Sequence, residues 1–160
     1  DIAAIGEASF AIKSDGTLWS WGANGEAGRG YENRNEYNYP FPFPYPVQVK
    51  DSAGTGFLTD VISITGGGGS CTGIALKSDG TVWAWGANQF GEVGQNYASA
   101  TTELLPLQVL GPNGVGYLTD VFYIGEGGEF SLAVKSDGTV WAWGWNAAGQ
   151  LGNGTTVDKY

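Results

Sequence analysis

The sequence predicts an all-β fold, a β-propeller built from four-stranded blades with three blade repeats in the chain. One observation is a hairpin motif that occurs three times, as FAIKSDGTLWSWG from Phe10, GIALKSDGTVWAWG from Gly73 and SLAVKSDGTVWAWG from Ser131. A second is the spacing, 64 positions from Ser14 to Ser78 and 58 from Ser78 to Ser136. The third is that no segment of useful length has the apolar period of a helix. Four strands per unit and tryptophan-rich motifs at this period are typical of propeller blades.

Each repeat opens with a short apolar strand and a glycine-rich bend, and both precede the hairpin. The copies of this first strand are residues 1–5, 60–64 and 120–124. A polar loop follows the hairpin, and a fourth strand follows the loop in two copies, PVQV from Pro46 and PLQV from Pro106. The repeats therefore span about 1–59, 60–119 and 120–160 of a single domain 1–160, with the last repeat incomplete.

The hairpins contain an Asp-Gly pair between alternating apolar runs, which is the pattern of a type I′ turn with positive φ at both residues. Beyond the turn, two tryptophans are separated by one small residue, so they share one face of the strand. The pairs are Trp19 with Trp21, Trp83 with Trp85, and Trp141 with Trp143. We expect them to form the core between blades rather than a ligand platform, because such a hairpin needs a neighbouring sheet.

The chain contains no Met and ends where the fourth strand of the third repeat is due. We expect a processed product, a fragment or part of a longer precursor. If it is a mature chain, we expect a strand from outside it to complete the blade ending near Tyr160, because open sheet edges accept strands. A second copy, another domain or a longer precursor could supply that strand, giving a partial or oligomer-completed propeller.

Composition disfavours several function classes. The formal net charge is −9 with only 7 Lys and Arg residues, which argues against nucleic acid and anionic membrane surfaces. No apolar run is long enough for a spanning helix, so no membrane insertion is predicted. There is no His, the commonest general base and metal ligand, so the sequence predicts no enzyme, catalytic residue, metal centre or cofactor.

Aromatic side chains supply the interface candidates. In YNYPFPFPYP, from Tyr37, proline at every second position enforces an extended backbone that presents the intervening aromatics. The candidates in this segment are Tyr37, Tyr39, Phe41, Phe43 and Tyr45. The alternative is a loop that packs on its own propeller. Trp145 is a further candidate, because the other copies have Ala23 and Ala87 at its position; local packing is its alternative.

Three polar residues have weaker functional interpretations. Asp51 is a candidate Ca²⁺ ligand in an acidic loop, although a plain turn is favoured. Asn153 begins an Asn-Gly-Thr triplet that permits N-glycosylation in a secreted protein. Cys71 is the single cysteine, expected to be a small buried residue or, alternatively, to form an intermolecular disulfide.

The stretch GGEFSLAVKSDGTVWAWGWNAAGQLGNGTT, from Gly127 to Thr156, together with PVQV and LTDV, resembles the regulator of chromosome condensation repeat family. The resemblance covers essentially the whole chain and implies a β-propeller, commonly seven-bladed, that serves several functions. Family members often have His before the second strand, where this chain has Ala8, Thr72 and Phe130. The basic chromatin-binding elements and nucleotide-exchange wedge of the founding member are not found. The variant most resembles bacterial surface and extracellular members.

Two functions follow as hypotheses. The first is an extracellular structural protein, a propeller-repeat subunit of a filament, surface layer or larger scaffold, located outside the cell or at its surface. Its partners would be other copies of itself or further blades of the same precursor. The alternative is a protein- or glycan-binding propeller module, similar to an inhibitor or an adhesin.

Overall fold

The computed structural model describes residues 1–22, 27–31, 42–67 and 71–160. These residues form three antiparallel sheets in which the strands follow in chain order, and we call the sheets blades 1, 2 and 3. Blade 1 contains β1 (Ile2–Ile5), β2 (Ala8–Ile12), β3 (Leu18–Gly22) and β4 (Phe43–Gln48). Blade 2 contains β5 (Val61–Gly66), β6 (Thr72–Lys77), β7 (Val82–Asn88) and β8 (Ser99–Gln108). Blade 3 contains β9 (Val121–Glu126), β10 (Phe130–Lys135) and β11 (Val140–Gly144).

The described part of the chain contains a 3-10 turn at Pro112–Gly114 and no α-helix, in agreement with the all-β prediction. In blade 3 a fourth segment begins to pair with β11, through a single antiparallel bridge between Gly144 and Lys159. Completion of that blade by an added strand stays a prediction.

Each hairpin turn has three loop residues, so the expectation of a two-residue type I′ turn is wrong. In the first copy the Gly16 N–H donates to the Lys13 carbonyl and the Lys13 N–H donates to the Thr17 carbonyl, both at 3.0 Å. Gly16 has φ of +78°, whereas the aspartates of the three turns are not among the residues with positive φ. This is a type I turn followed by a left-handed glycine, the commonest three-residue hairpin loop. Only the glycine therefore needs the left-handed region.

The residues around the turn form a hydrogen-bonded network that recurs in every blade. In blade 2, Asp79 Oδ1 accepts from the Thr81 N–H at 3.0 Å and from the Thr81 hydroxyl at 2.6 Å. Thr81 Oγ1 in turn accepts from Trp83 Nε1 at 3.1 Å, which fixes the indole on the sheet. The hydrogen bonds from Thr81 lower the pKa of Asp79. The repeated SDGTxW motif is thus a structural network.

Two apolar cores lie between the blades. The first joins blade 1 to blade 2, and the second joins blade 2 to blade 3. Each contains the second tryptophan of the following blade: Trp85 is 0% exposed and Trp143 is 6% exposed. The predicted inter-blade core is therefore confirmed for these two residues. Blade 1 supplies Ile5, Phe10, Leu18 and Val49 to the first core, and blade 2 supplies Ile74, Leu76, Val82 and Val109 to the second.

The fourth strands contain a bulge that tolerates proline. In β4, Val47 lies opposite Ser20 and Phe43 lies opposite Gly22, so three residues of β4 face one residue of β3. Pro44 and Pro46 fall inside this bulge, where the lack of an N–H leaves no regular ladder bond unmade. The same offset occurs in blade 2. The alternating prolines therefore fit an outer strand of the blade.

The hairpin turn of each blade also contacts the first strand of the next. The Val121 N–H donates to the Gly80 carbonyl at 3.1 Å, and a Cβ atom on Gly80 would lie 3.3 Å from the Asp120 backbone. Gly80 itself has φ of +78°. Two constraints therefore require glycine at this position: the left-handed backbone and the close approach of blade 3.

We predict that Gly80→Val lowers the free energy of unfolding by more than Gly138→Val does. Both glycines have positive φ, at +78° and +85°, which costs a β-branched residue about 1–3 kcal/mol. Only Gly80 also contacts another blade, since no atom lies within 4 Å of a Cβ on Gly138 in the described part of the chain. Urea denaturation of both variants gives the comparison. Equal losses of unfolding free energy in the two variants would show that the contact between blades at this turn adds no stability.

Candidate protein-interaction surface

The loops that follow β3, β7 and β11 leave from one end of their blades, because every blade has the same strand order. The turns between the first and second strands lie at this same end. We call this end the loop face; its described loop residues are 27–31, 89–98 and 145–158. The hairpin turns lie at the opposite end.

An aromatic cluster spans blades 2 and 3 on the loop face. The rings of Phe90 and Trp145 lie 6.1 Å apart, centroid to centroid, and both side chains are half-buried. Tyr160, which is 53% exposed, packs against Gly91 beside Phe90. Trp145 thus makes the local contact that the sequence left open while keeping part of its ring accessible. Its role in binding a partner stays a prediction.

A second aromatic cluster lies in blade 1. The Tyr31 and Phe43 rings meet edge to face at 5.7 Å, and the Arg29 guanidinium lies 3.7 Å from the Phe43 centroid. Arg29 also donates from Nη2 to the Ser20 carbonyl at 2.7 Å. Burial lowers the pKa of Arg29 to about 10, so the group stays protonated at neutral pH. No local sequence pattern marks Arg29 as a member of this cluster.

The predicted aromatic segment is divided by the structure. Phe43 joins Tyr31, whereas Tyr45 points away from the blade and is 76% exposed. The other three candidates, Tyr37, Tyr39 and Phe41, lie outside the described residues.

Two buried asparagines organise the loops of blades 2 and 3. Asn88 Oδ1 accepts from the Val93 N–H at 3.2 Å, and its Nδ2 donates to the Tyr97 carbonyl at 3.1 Å. Asn146 accepts similarly from the Leu151 N–H at 3.0 Å and donates to several acceptors between residues 153 and 157. One amide thus bridges both ends of each loop. The sequence signal was an Asn two positions after each Trp-Gly pair.

Glu92 connects the loop face to the core between blades 2 and 3. Its carbonyl accepts from Trp143 Nε1 at 2.7 Å and from the Ser131 hydroxyl at 3.0 Å. Its side chain is buried, and one carboxylate oxygen accepts from the Phe90 N–H at 2.8 Å. Burial raises the pKa of the Glu92 carboxyl, because the charged form loses hydration.

Asp51 acts as a loop cap in the structure. Its Oδ1 accepts from the Thr55 N–H at 3.2 Å and its Oδ2 accepts from the Gly56 N–H at 3.0 Å. These bonds order the connection that leads to blade 2. Residues 1–22, 27–31, 42–67 and 71–160 contain no group of three or more His, Cys, Asp or Glu side chains arranged to hold a metal ion.

The two modification candidates lie in different settings. Asn153 is exposed, and its Oδ1 accepts from the Thr155 N–H at 3.0 Å and hydroxyl at 2.8 Å. Cys71 is half-buried with φ of +57°, and its sulfur lies against Gly6 of blade 1. Glycosylation of Asn153 and an intermolecular disulfide at Cys71 stay predictions.

A groove of about 550 Å³ runs along the outer edge of β11, between blades 2 and 3. It is lined by Val109, Leu118, Trp141, Trp143 and Tyr160, among others. In blades 1 and 2 the fourth strand occupies this position, so the groove has the location that suits an added strand. Its walls combine these apolar side chains with the polar residues Asn96, Asn113, Asp158 and Lys159.

In the described part of the chain, no helix is long and apolar enough to span a membrane.

The three stacked blades define a repeat protein of the β-propeller class. The model of the regulator of chromosome condensation (RCC1) repeat matches residues 61–92 and 126–150, and a second RCC1 repeat model matches residues 79–134. The chain therefore belongs to the RCC1 repeat family, which confirms the resemblance seen in Gly127 to Thr156.

Similar proteins include larger ones with different roles. The E3 ubiquitin-protein ligase HERC2 of Mus musculus is 29% identical over 155 residues, which are 97% of this chain but 3% of HERC2. The ultraviolet-B receptor UVR8 of Arabidopsis thaliana is 37% identical over 86 residues, 54% of this chain and 18% of UVR8. The structure of Prp20p from Saccharomyces cerevisiae superposes with a TM-score of 0.74 at 24% identity, covering 99% of this chain and 36% of Prp20p, and shows the shared propeller fold.

We predict that Glu92→Gln raises the melting temperature at pH 7. The raised pKa means that the charged carboxylate disfavours the folded state, so wild-type stability falls as pH rises from the ordinary Glu value through the raised one. Glutamine, which the third repeat carries as Gln150, can still accept from the Phe90 N–H. Calorimetry from pH 3 to pH 8 should show that the variant melts at a higher temperature than the wild type at neutral pH, and that this difference fades at acid pH. A rise in melting temperature that does not depend on pH, or an equal rise in the control variant of exposed Glu7 (Glu7→Gln), would contradict the claim that the buried Glu92 carboxylate destabilises the fold.

Proposed function

We propose that this chain is a protein-binding propeller module that holds its partner at the loop face. The observation that carries the proposal is the cluster of Phe90, Trp145 and Tyr160, which crosses from one blade to the next while its rings stay partly accessible. Large aromatic side chains concentrate in the cores of protein interfaces and supply much of their binding energy.

The rigidity of the loop face supports this function. The loops on either side of the cluster are held by buried Asn88 and Asn146, and the Glu92 carbonyl is bonded to Trp143 in the core. A side chain that is already ordered loses less entropy when a partner binds. The cluster is therefore a preorganised contact surface.

Charge favours a basic partner surface. The chain has a formal net charge of −9, and the first-to-second-strand turns place Glu7 and Glu129 at the end of the blades that carries the cluster. Such a field attracts positively charged surfaces and raises association rates at low salt. We therefore expect a partner that presents Lys or Arg around an apolar centre.

The relatives support the class of function and leave the partner open. Prp20p has been studied for its binding to Gsp1p and histones, and it has been crystallised with Kap60. These proteins are partners of Prp20p, and the present chain spans only 36% of its length. The extracellular location, a role in a filament or surface layer, and glycan binding remain predictions.

The test uses protein ligands selected against the whole chain from a phage-displayed library of small domains. We expect most ligands to bind Trp145→Ala at least about tenfold more weakly, as for an interface anchor. The matched control is Tyr117→Ser, a 58% exposed aromatic in the connection after β8, away from the loop face. We also expect binding to weaken as salt increases. Ligands that depend on Tyr117 and ignore Trp145 would refute the loop-face assignment.

A further inference from the structure

The two connections between blades lie at the end of the blades that carries the hairpin turns. The Val49 N–H donates at 2.9 Å to the carbonyl of Leu18, the residue after the first turn, so the connection begins beside that turn. It ends beside the second turn, where the Ser78 N–H donates to the Asp60 carbonyl at 2.8 Å. The second connection makes the same two bonds one repeat later. We call this end the turn face; it comprises the turns 13–17, 77–81 and 135–139 and the connections 49–60 and 109–120.

Each connection presents one aromatic ring to solvent. Leu58 and Leu118 anchor the connections in the two inter-blade cores, where each is only 3% exposed. The residue before each leucine lies in an antiparallel bridge, so its side chain points the opposite way. Phe57 is accordingly 47% exposed and Tyr117 is 58% exposed. The two rings stand 60 positions apart, at the same position of successive repeats, and each lies between two blades.

The backbone holds each ring in place. The antiparallel bridges join Phe57 to Lys50 and Tyr117 to Leu110, and they close a small hairpin in each connection. Asp51 caps the loop of the first hairpin, and a 3-10 turn orders the loop of the second. A ring that is already ordered loses little entropy when a ligand binds to it.

A threonine, an aspartate and a lysine accompany each ring. The Thr59 hydroxyl donates to Asp60 Oδ2 at 2.9 Å, and Lys77 Nζ lies 4.0 Å from the same oxygen. In the second connection, Asp120 Oδ2 accepts from the equivalent threonine at 3.0 Å and lies 3.8 Å from Lys135 Nζ. Both aspartate side chains are largely exposed. Each unit therefore combines an apolar ring with a charge-balanced set of hydrogen-bond donors and acceptors.

This combination matches the chemistry of a neutral sugar. A pyranose has an apolar face of C–H groups that stacks on an aromatic ring, and hydroxyl groups that both donate and accept hydrogen bonds. Because each exposed carboxylate already has a lysine partner, the units lack the surplus charge that would select a phosphate or a basic peptide. A protein interface would instead need a contiguous apolar core, whereas here single rings recur with polar groups beside them.

We infer that the turn face binds a neutral polysaccharide, with Phe57 and Tyr117 each stacked on a sugar ring of one polymer chain. A regular polymer repeats its sugar units as the two connections repeat their binding units, so both contacts form along a single ligand. Two weak contacts joined in one molecule bind much more tightly than either contact alone. The site lies at the opposite end of the blades from Trp145, so this inference stands or falls separately from the proposed function.

The test is affinity electrophoresis of the whole chain in native gels that contain a soluble neutral polysaccharide, which is β-glucan, galactomannan or xyloglucan. We expect at least one of these polymers to retard the wild-type chain. Phe57→Ala and Tyr117→Ala should each weaken that binding at least about tenfold, through loss of the stacked ring. Tyr117→Phe keeps the ring and should bind like the wild type. Both rings are exposed, so the fold should persist in the variants, as circular dichroism can check.

The matched controls are Val115→Ser, an exposed residue of the same connection without a ring, and Trp145→Ala on the loop face. Both control variants should bind the polymer like the wild type, and the free monosaccharide should compete only weakly because it contacts one ring at a time. No retardation by any of the three polymers, stronger retardation by heparin, or unchanged binding of Tyr117→Ala would overturn the inference. Protein ligands that depend on Tyr117, without polysaccharide binding, would overturn it in favour of a protein interface.

Discussion

The structure depends on the contact between a tryptophan of one blade and a glycine of the blade before it. A four-stranded blade is too thin to bury its own indoles, so the second tryptophan of the hairpin must be covered by a neighbour. A Cβ atom on Gly28 or Gly94 would lie 3.2 Å or 3.0 Å from that indole, tighter than ordinary van der Waals contact, so glycine lets the two sheets approach closely. Blade 2 gives and receives this contact, and five of the six residues of its strand β6 are buried, against two of the five in β2.

The same contact connects folding to the loop face. The Glu92 carbonyl accepts from Trp143 Nε1, while the Glu92 side chain holds the Phe90 backbone. Phe90 lies against Trp145 of the next blade, so the aromatic cluster has a fixed position only when the blades are packed. The proposed binding surface is thus a consequence of inter-blade packing, and loss of that packing would disorder both.

The sequence was sufficient for features that depend on local periodicity. The repeats, the hairpins and the buried positions of Trp85 and Trp143 follow from two-residue alternation and a period near 60. The turn type was not predictable from Asp-Gly alone, because the same pair suits a two-residue turn or the last two positions of a three-residue loop. The register of the hydrogen bonds distinguishes these two turn types, and it places Ser14 in a three-residue loop.

The candidate site was harder to predict because its contacts are long-range. Glu92 meets Trp143 across 51 positions and Ser131 across 39, and no local pattern marks such partners. Arg29 was missed because its contact with Phe43 joins two ends of a long loop. Tyr45 was found as an aromatic, but its outward direction follows from the bulge in β4, which the sequence does not reveal.

The most direct test of the claim that contacts between neighbouring blades stabilise the fold is residue-resolved hydrogen exchange on the dilute chain. If stability comes from contacts between neighbouring blades, the strand amides of blade 2, which is covered on both faces, should exchange more slowly than those of blades 1 and 3. Equal protection in all three blades, or slower exchange in β2 and β10 than in β6, would show that each blade is stable by itself and would contradict the account.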